Sequence, residues 1–148
     1  MNAFANYIVD DFPKIKVIFG NNIKNNDDYK KFEDDWLKCY EYKKKFIFIF
    51  DTSNVGMINI KYMYRLTLFI KSLKKKIINN PNNFNYLQYS IIIVNNFYIK
   101  HLLNLTFMIQ KPVAPVYIID KKYNFEKLYY NLKNNEIIND DEVIYISN

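Results

Sequence analysis

The chain of 148 residues is poor in the residue types that mark several protein classes. It has one cysteine, Cys39, two glycines and four prolines, which excludes disulfide scaffolds, multi-cysteine zinc sites and collagen-like or flexible low-complexity chains. It has no run of about 18 apolar residues, which a membrane-spanning helix requires, and its start lacks the pattern of a signal peptide. These absences predict a soluble protein of the reducing interior of the cell.

Arginine is also scarce, because Arg65 is the single arginine among 21 basic residues. Sequence-specific readers of nucleic acid use arginine forks for bidentate contacts, so we do not expect that function. Asn, Ile, Lys and Tyr supply about 78 residues, a bias typical of AT-rich genomes such as those of many protozoa and large DNA viruses. Codon bias therefore accounts for much of the net charge of +6. Contact between a lysine-rich face and an anionic membrane stays open.

Apolar residues are abundant at 50% of the chain, and aromatic residues reach 18%, enough for a packed core. Residues 46–50 are apolar at both alternate sets of positions, which is typical of a parallel strand buried on both faces. The same kind of pattern predicts further strands at residues 15–19, 90–94, 116–119 and 143–146, and a short strand at 6–9.

Apolar residues at helical spacing occupy the segments between these strands. Tyr29, Phe32 and Trp36 predict a helix over residues 27–44, and similar patterns predict helices at 59–76, 97–109 and 125–132. Strands separated by single helices predict right-handed parallel crossovers. We therefore expect one layered α/β domain over residues 1–148, with a mostly parallel central sheet and helices on both faces.

Two of these segments resemble the SpoIIAA-like branch of the STAS families. In residues 20–32, a strand ends in Gly20, a short turn follows, and an acidic and aromatic helix start comes next. Residues 46–54 resemble the STAS central strand, with Asp51 at its carboxyl end. The resemblance implies a protein-binding domain of SpoIIAA-like fold. STAS anti-sigma antagonists carry a phosphorylatable Asp-Ser-Ser-Gly where residues 59–62 read Asn-Ile-Lys-Tyr, so it also implies that the phospho-switch is absent.

Later segments resemble CRAL-TRIO lipid-binding domains, which share this architecture. Asp51 matches the aspartate after their core strand, residues 92–95 match their strand ending in asparagine, and residues 107–112 match their helix end at Lys-Pro. Together the two resemblances run from about residue 14 to residue 146. Asn96 and Phe97 stand where CRAL-TRIO domains have a proline, and the chain has no room for their extra N-terminal helical region.

Polar side chains follow the buried strands at the points where those strands end. Ligands of open α/β sheets bind at the carboxyl ends of parallel strands, so these side chains are predicted to ring one crevice. The alternative is turn and capping chemistry, which the same residue types favour. The predicted crevice consists of Asp51, Thr52, Ser53, Asn54, Asn95, Asn96 and Asp120.

The helix predicted at residues 59–76 presents basic side chains outward, among them Arg65, Lys71 and Lys75. These three are the predicted partner-binding cations, and a solvated helix surface is the alternative. His101 lacks a motif that places a carboxylate beside it, and Cys39 lacks a matching histidine, so both are expected to be ordinary helix residues. No metal site or cofactor is expected, since two carboxylates are too few for a metal.

These observations favour a non-enzymatic protein-interaction module that presents the carboxyl-end loops and the helix at residues 59–76 to another protein. A structural or virion-associated role would suit a large virus. The alternative is a CRAL-TRIO-like carrier of a lipid or small hydrophobic ligand, which predicts an apolar cavity of roughly 300 Å³ or more. A third interpretation, an enzyme acting through Asp51 and its neighbours, is the least favoured.

Overall fold

The computed structural model describes residues 4–20 and 22–148, so Met1–Ala3 and Asn21, which belongs to the predicted turn after the first strands, lie outside the described residues. The strands are β1 (Ala5–Ile8), β2 (Lys14–Phe19), β3 (Phe46–Asp51), β4 (Leu87–Val94), β5 (Val116–Asp120) and β6 (Ile144–Ile146). The helices are α1 (Asn26–Lys38), α2 (Ile60–Asn79), α3 (Pro81–Phe84), α4 (Phe97–Ile109) and α5 (Phe125–Lys133), and a 3₁₀ turn spans Cys39–Tyr42.

The six strands lie in chain order across one sheet. Strands β2 to β5 run parallel, whereas β1 and β6 are antiparallel to their neighbours at the two edges. The predicted α/β class with a mostly parallel sheet is confirmed. The prediction that the last strand joins by a parallel crossover is wrong, because Ile144 of β6 lies opposite Ile118 of β5 in antiparallel register. An alternating apolar pattern reads the same in both directions, so the sequence could not reveal this direction.

Alternate residues of β3 point to opposite faces of the sheet and divide the core into two layers. Phe46, Phe48 and Phe50 face the layer formed by α1, α2 and α4, while Ile47 and Ile49 face α5. Right-handed crossovers between strands in chain order place successive helices on the same face. This accounts for α1, α2 and α4 on one face, whereas α5 belongs to the antiparallel connection to β6 and lies on the other face. The prediction of helices on both faces is confirmed.

Trp36 of α1 fixes the positions of α1 and α2 on the sheet. Its ring centroid lies 5.1 Å from that of Phe48 in β3 and 5.2 Å from that of Phe69 in α2. Beside it, the rings of Tyr29 in α1 and Tyr62 in α2 stack at 5.4 Å. Such pairs contribute about 0.5–1.5 kcal/mol each beyond their area burial. The seam between α1 and α2 is therefore a packed contact, not a loose approach.

Asparagine begins four of the helices. In each case the side-chain oxygen accepts a hydrogen bond from a backbone N–H of the first helical turn, which would otherwise lack a partner. The excess of asparagine in the sequence thus has a structural use at helix starts. These capping residues are Asn25, Asn59, Asn96 and Asn124.

Several element boundaries differ from the sequence-based expectation. Helix α2 ends at Asn79 instead of residue 76, and β4 begins at Leu87 instead of residue 90. The helix predicted to reach residue 44 ends at Lys38 and continues as the 3₁₀ turn, which stops where Lys43 adopts a left-handed conformation with φ of 51°. The predicted polar loop at residues 79–85 contains α3, whose first residue, Pro81, has the φ that a helix start needs. Within the described ranges, no helix combines the length and apolar character needed to cross a bilayer.

Candidate functional site

The polar residues predicted to ring a crevice do gather at one edge of the sheet. Asp51 ends β3 opposite Ile93 of β4, and Asp120 ends β5 opposite Val94 of β4. Asn95 and Asn96 follow β4 directly. The parallel register therefore brings the three strand ends together, as the sequence pattern predicts.

The hydrogen bonds of these residues are made within their own turns or, for Thr52, with the neighbouring strand. The Asp51 carboxylate accepts bonds from the Ser53 backbone N–H at 3.0 Å and from the Ser53 hydroxyl at 2.6 Å. The Thr52 hydroxyl donates to the carbonyl of Ile93 at 2.7 Å, and Asp120 accepts from the backbone N–H of Lys122 at 3.0 Å. Both carboxylates thus stabilise backbone turns, which is the turn and capping chemistry weighed as the alternative.

Asn96 has two structural tasks at this edge. Its side-chain oxygen accepts from the backbone N–H of Ile99 at 2.8 Å and caps α4. Its side-chain nitrogen donates to the carbonyls of Val55 at 3.0 Å and Gly56 at 2.9 Å, which holds the loop between β3 and α2 against the start of α4. Asn54 and Asn95 are exposed. Among the described residues, no group of three or more His, Cys, Asp or Glu side chains is arranged to hold a metal ion.

Cys39 and His101 lie in surroundings that do not activate them. Cys39 is 3% exposed, and burial together with the Asp35 carboxylate raises the pKa of its thiol to about 12, so it carries a proton at neutral pH. His101 is exposed on α4 and stacks on Phe97 with a centroid distance of 6.2 Å. No acidic residue occurs on α4 to orient the imidazole.

The three predicted partner-binding cations of α2 have different surroundings. Lys71 and Lys75 are exposed, as predicted. Arg65 is turned toward α1, where its guanidinium lies over the ring of Tyr29 and pairs with the Glu33 carboxylate at 3.9 Å. Arg65 therefore links the two helices. No local sequence pattern indicates this, because the contact joins residues far apart in the chain.

A groove follows the seam between α1 and α2. One section of about 310 Å³ has the apolar side chains of Leu37, Leu68 and Phe69 along it. Charged groups of both signs line the same section, namely Lys30, Glu33, Asp34, Arg65 and Lys76. A second section of about 380 Å³ continues past the 3₁₀ turn and shares Asp34, Leu37 and Lys76 with the first. Sequence reasoning missed this groove, because its two walls come from separate helices.

Two small apolar voids lie beneath the helices, against the inner face of the sheet. Each has a volume of about 80 Å³, and they share Phe32, Leu66 and Leu103 as walls. Each is far smaller than the roughly 300 Å³ that a drug-sized hydrophobic ligand needs.

Comparison of the chain with models of protein families, with curated proteins and with solved structures finds no match.

Proposed function

We propose that the chain is a non-enzymatic protein-interaction module of STAS-like type without the phosphorylatable serine, and that a partner protein binds along the groove between α1 and α2. The groove itself is the observation that supports this proposal most strongly. It combines an apolar strip at Leu37 and Leu68 with charges of both signs. An amphipathic segment of a partner docks in such a groove through apolar anchors flanked by charged contacts.

The carboxyl-end crevice supports binding less well than the groove. Backbone atoms already occupy hydrogen-bonding groups of Asp51, Thr52 and Asp120. These bonds use one oxygen of each carboxylate and fix its orientation to suit the turn, so the crevice is built first of all as turn structure. Asn54 and Asn95 are exposed there and remain candidate contacts at the end of the surface.

The walls of the groove are held in place before a partner arrives. Trp36 packs on Phe69, and Arg65 reaches across to Glu33, so both helices are fixed to each other and to the sheet. A preformed site loses little conformational entropy when it binds, which favours affinity. We therefore give Arg65 a positioning role in docking.

The charged residues along the groove, which form its rim, favour a partner that also carries charges of both signs. Lys30 and Asp34 pair at 2.6 Å on the exposed edge of α1, and exposed ion pairs of this kind contribute little to stability. A partner can therefore replace them with its own charged groups at small cost. Lys71 and Lys75 lie exposed on the same helix α2 and extend the rim with positive charge.

The start of α2 supports an interaction that phosphorylation does not switch. Asn59 stands at the helix start, and its side chain accepts a bond from the backbone N–H of Lys61 at 3.0 Å. Residues 59–62 include no serine or threonine. Control of partner binding by a serine at this helix start is therefore not expected.

We propose an intracellular location, or one within a virion. A single cysteine, buried and protonated, is typical of proteins that work under reducing conditions. The alternative as a CRAL-TRIO-like carrier of a lipid or small hydrophobic ligand stays a prediction, and the two voids of about 80 Å³ each do not favour it.

Photo-crosslinking in cells that express the protein tests the proposal. A benzophenone amino acid placed at Leu68, in the groove, is expected to form an adduct with a discrete protein. The same probe at Tyr130 of α5, which is also exposed, is the matched control and is expected to give none. Charge reversal at the rim through Lys76→Glu is expected to remove the adduct at position 68. An adduct that survives this change, or that forms equally from position 130, contradicts docking in the groove.

A further inference from the structure

The positive charge of the chain is concentrated in one continuous segment. Residues 52–119 contain eight Lys or Arg residues and no Asp or Glu, whereas the rest of the chain contains 13 basic and 15 acidic residues. The segment supplies both α2 and α4, two helices on the same face of the sheet. The surface of these helices therefore lacks carboxylates of its own.

Helix α4 exposes an unusually apolar surface, which we call the α4 face. Phe97 is 81% exposed, Met108 is 80% exposed and Ile109 is 75% exposed. Leu105, at 40%, lies between them at the helical spacing that puts side chains on one stripe. The hydroxyl of Tyr98 bonds to the carbonyl of Ile58 at 3.0 Å, so the loop before α2 meets the start of the α4 face. That loop and the first turn of α2 add Met57 and Ile60, both exposed.

Cations border the α4 face without acidic partners. Lys100 lies on α4, and Lys111 follows its end. Burial, and the nearby charge of Lys111, lower the pKa of Lys74 on α2, so two like charges lie close together there. The ion pairs found among the described residues all involve carboxylates of α1. An anion that approaches this rim meets uncompensated positive charge.

The shape of the α4 face decides among its candidate occupants. Its apolar side chains project from the helix, whereas a partner peptide would need a groove such as the one between α1 and α2. A second copy of the chain would bring lysine next to lysine, which costs free energy. A bilayer surface needs no matching shape, and its anionic headgroups complement the lysines, whose apolar stems lie along the acyl boundary.

We propose that the α4 face binds the surface of an anionic lipid bilayer. Phe97, Met108 and Ile109 enter the boundary between headgroups and acyl chains, and Lys100 and Lys111 contact the headgroup phosphates. This proposal is independent of partner docking between α1 and α2, because the two surfaces use different residues.

Flotation with vesicles tests the lipid proposal on the full chain. Binding is expected with vesicles of phosphatidylcholine and phosphatidylserine, and not with vesicles of phosphatidylcholine alone, and it is expected to weaken as salt rises. The double variant Phe97→Ser, Met108→Ser is expected to lower the partition coefficient about tenfold or more. The matched control is Tyr130→Ser, Ile137→Ser, which removes two exposed apolar side chains elsewhere and is expected to bind as the wild type does.

A fluorescence measurement gives an independent readout. An environment-sensitive dye on Met108→Cys is expected to shift to the blue with phosphatidylserine vesicles, whereas the same dye on Ile137→Cys is not. Cys39 is buried, so the dye attaches to the introduced thiol. Absence of wild-type binding to phosphatidylserine vesicles overturns the proposal, as does binding that the double variant retains. If sedimentation shows that the wild type is a dimer and the double variant a monomer, and neither binds vesicles, the α4 face is assigned to a second copy of the chain instead.

Discussion

The guanidinium carbon of Arg65 in α2 lies 4.6 Å from the ring centroid of Tyr29 in α1. Its side-chain nitrogens also reach Glu33 at 3.9 Å and Asn26 at 3.5 Å. The single arginine of the chain is thus placed at the seam where the proposed docking groove opens. Arginine suits this position, because its planar guanidinium can lie against an aromatic ring while its outer nitrogens bind acceptors beside the ring.

Replacing this arginine is expected to loosen the seam between α1 and α2. Arg65→Met removes the contact with the Tyr29 ring and the partly exposed ion pair, and is expected to cost about 1 kcal/mol of unfolding free energy. Lys71→Met, on the exposed side of the same helix, is the matched control and is expected to change it by less than about 0.5 kcal/mol. Urea denaturation measures both. Equal costs for the two variants would show that Arg65 does not hold the helices together.

Replacement of the two adjacent asparagines at the start of α4 is expected to lower the unfolding free energy by very different amounts. Asn96→Ala removes the cap on Ile99 and both bonds to the loop carbonyls, so we expect a loss of about 1–2 kcal/mol. Asn95→Ala changes an exposed side chain and is expected to cost less than about 0.5 kcal/mol. Chemical denaturation of the two variants provides the comparison. A cost at position 95 that matches the cost at position 96 would contradict the described capping geometry.

The thiol of Cys39 is expected to be unreactive in the folded protein. It is 3% exposed, and its pKa is raised to about 12, so a thiol reagent at mildly alkaline pH should modify it only after unfolding in urea. Timed labelling with an aromatic disulfide reagent measures this. Labelling of the native protein as fast as that of the unfolded chain would place the thiol at the surface.

The same burial predicts a pH dependence of stability. The folded chain keeps the Cys39 proton up to about pH 12, whereas the ordinary pKa is 9.0, so the folded state binds more protons between these values. The corresponding stabilisation is complete below pH 9.0 and is lost as pH rises toward the folded pKa. The unfolding free energy of Cys39→Ala is therefore expected to fall less steeply above pH 9.0 than that of the wild type. If the unfolding free energy of the two proteins fell equally steeply with pH, the raised pKa of Cys39 would be contradicted.

Truncation at the centre of the sheet is expected to have a large effect. Phe48 is fully buried and contacts the rings of Trp36, Phe46 and Phe50. Phe48→Ala is expected to cost about 3–5 kcal/mol, through lost burial and the cavity that remains. Thermal unfolding followed by Trp36 fluorescence measures it. The control Tyr130→Ala, in an exposed position, should leave the midpoint nearly unchanged.

The central layer of the fold could be predicted because its signal is local. Residues that are apolar on both alternate faces mark β3 and β4 as buried parallel strands, and that prediction is confirmed by Phe48 at 0% and Ile92 at 5% exposure. The direction of β6 could not be predicted, since a three-residue edge strand has no pattern specific to one direction. The end of α1 also escaped prediction, because lysine rarely adopts the left-handed conformation found at Lys43.

The candidate site was harder to predict than the fold. Asp51, Asn96 and Asp120 lie at the same end of the parallel strands, and the sequence predicts this because each of them follows or ends a buried strand. Whether such side chains face a ligand or their own backbone depends on loop conformation, which single residue types do not determine. The groove and the contact of Arg65 depend on how α1 and α2 pack together, and no local pattern records that.

Measurement of nuclear Overhauser effects in solution tests most directly that α1 and α2 lie side by side on a parallel sheet. Contacts are expected between the rings of Tyr29 and Tyr62, which stack at 5.4 Å, and between the backbones of Ile49 and Ile91 in parallel register. Both sets of contacts together would establish the layer on which the groove and the α4 face are built. Absence of the ring contacts would contradict the packing of α1 on α2 and the groove between them. An antiparallel pattern between β3 and β4 would contradict the sheet on which both binding surfaces rest.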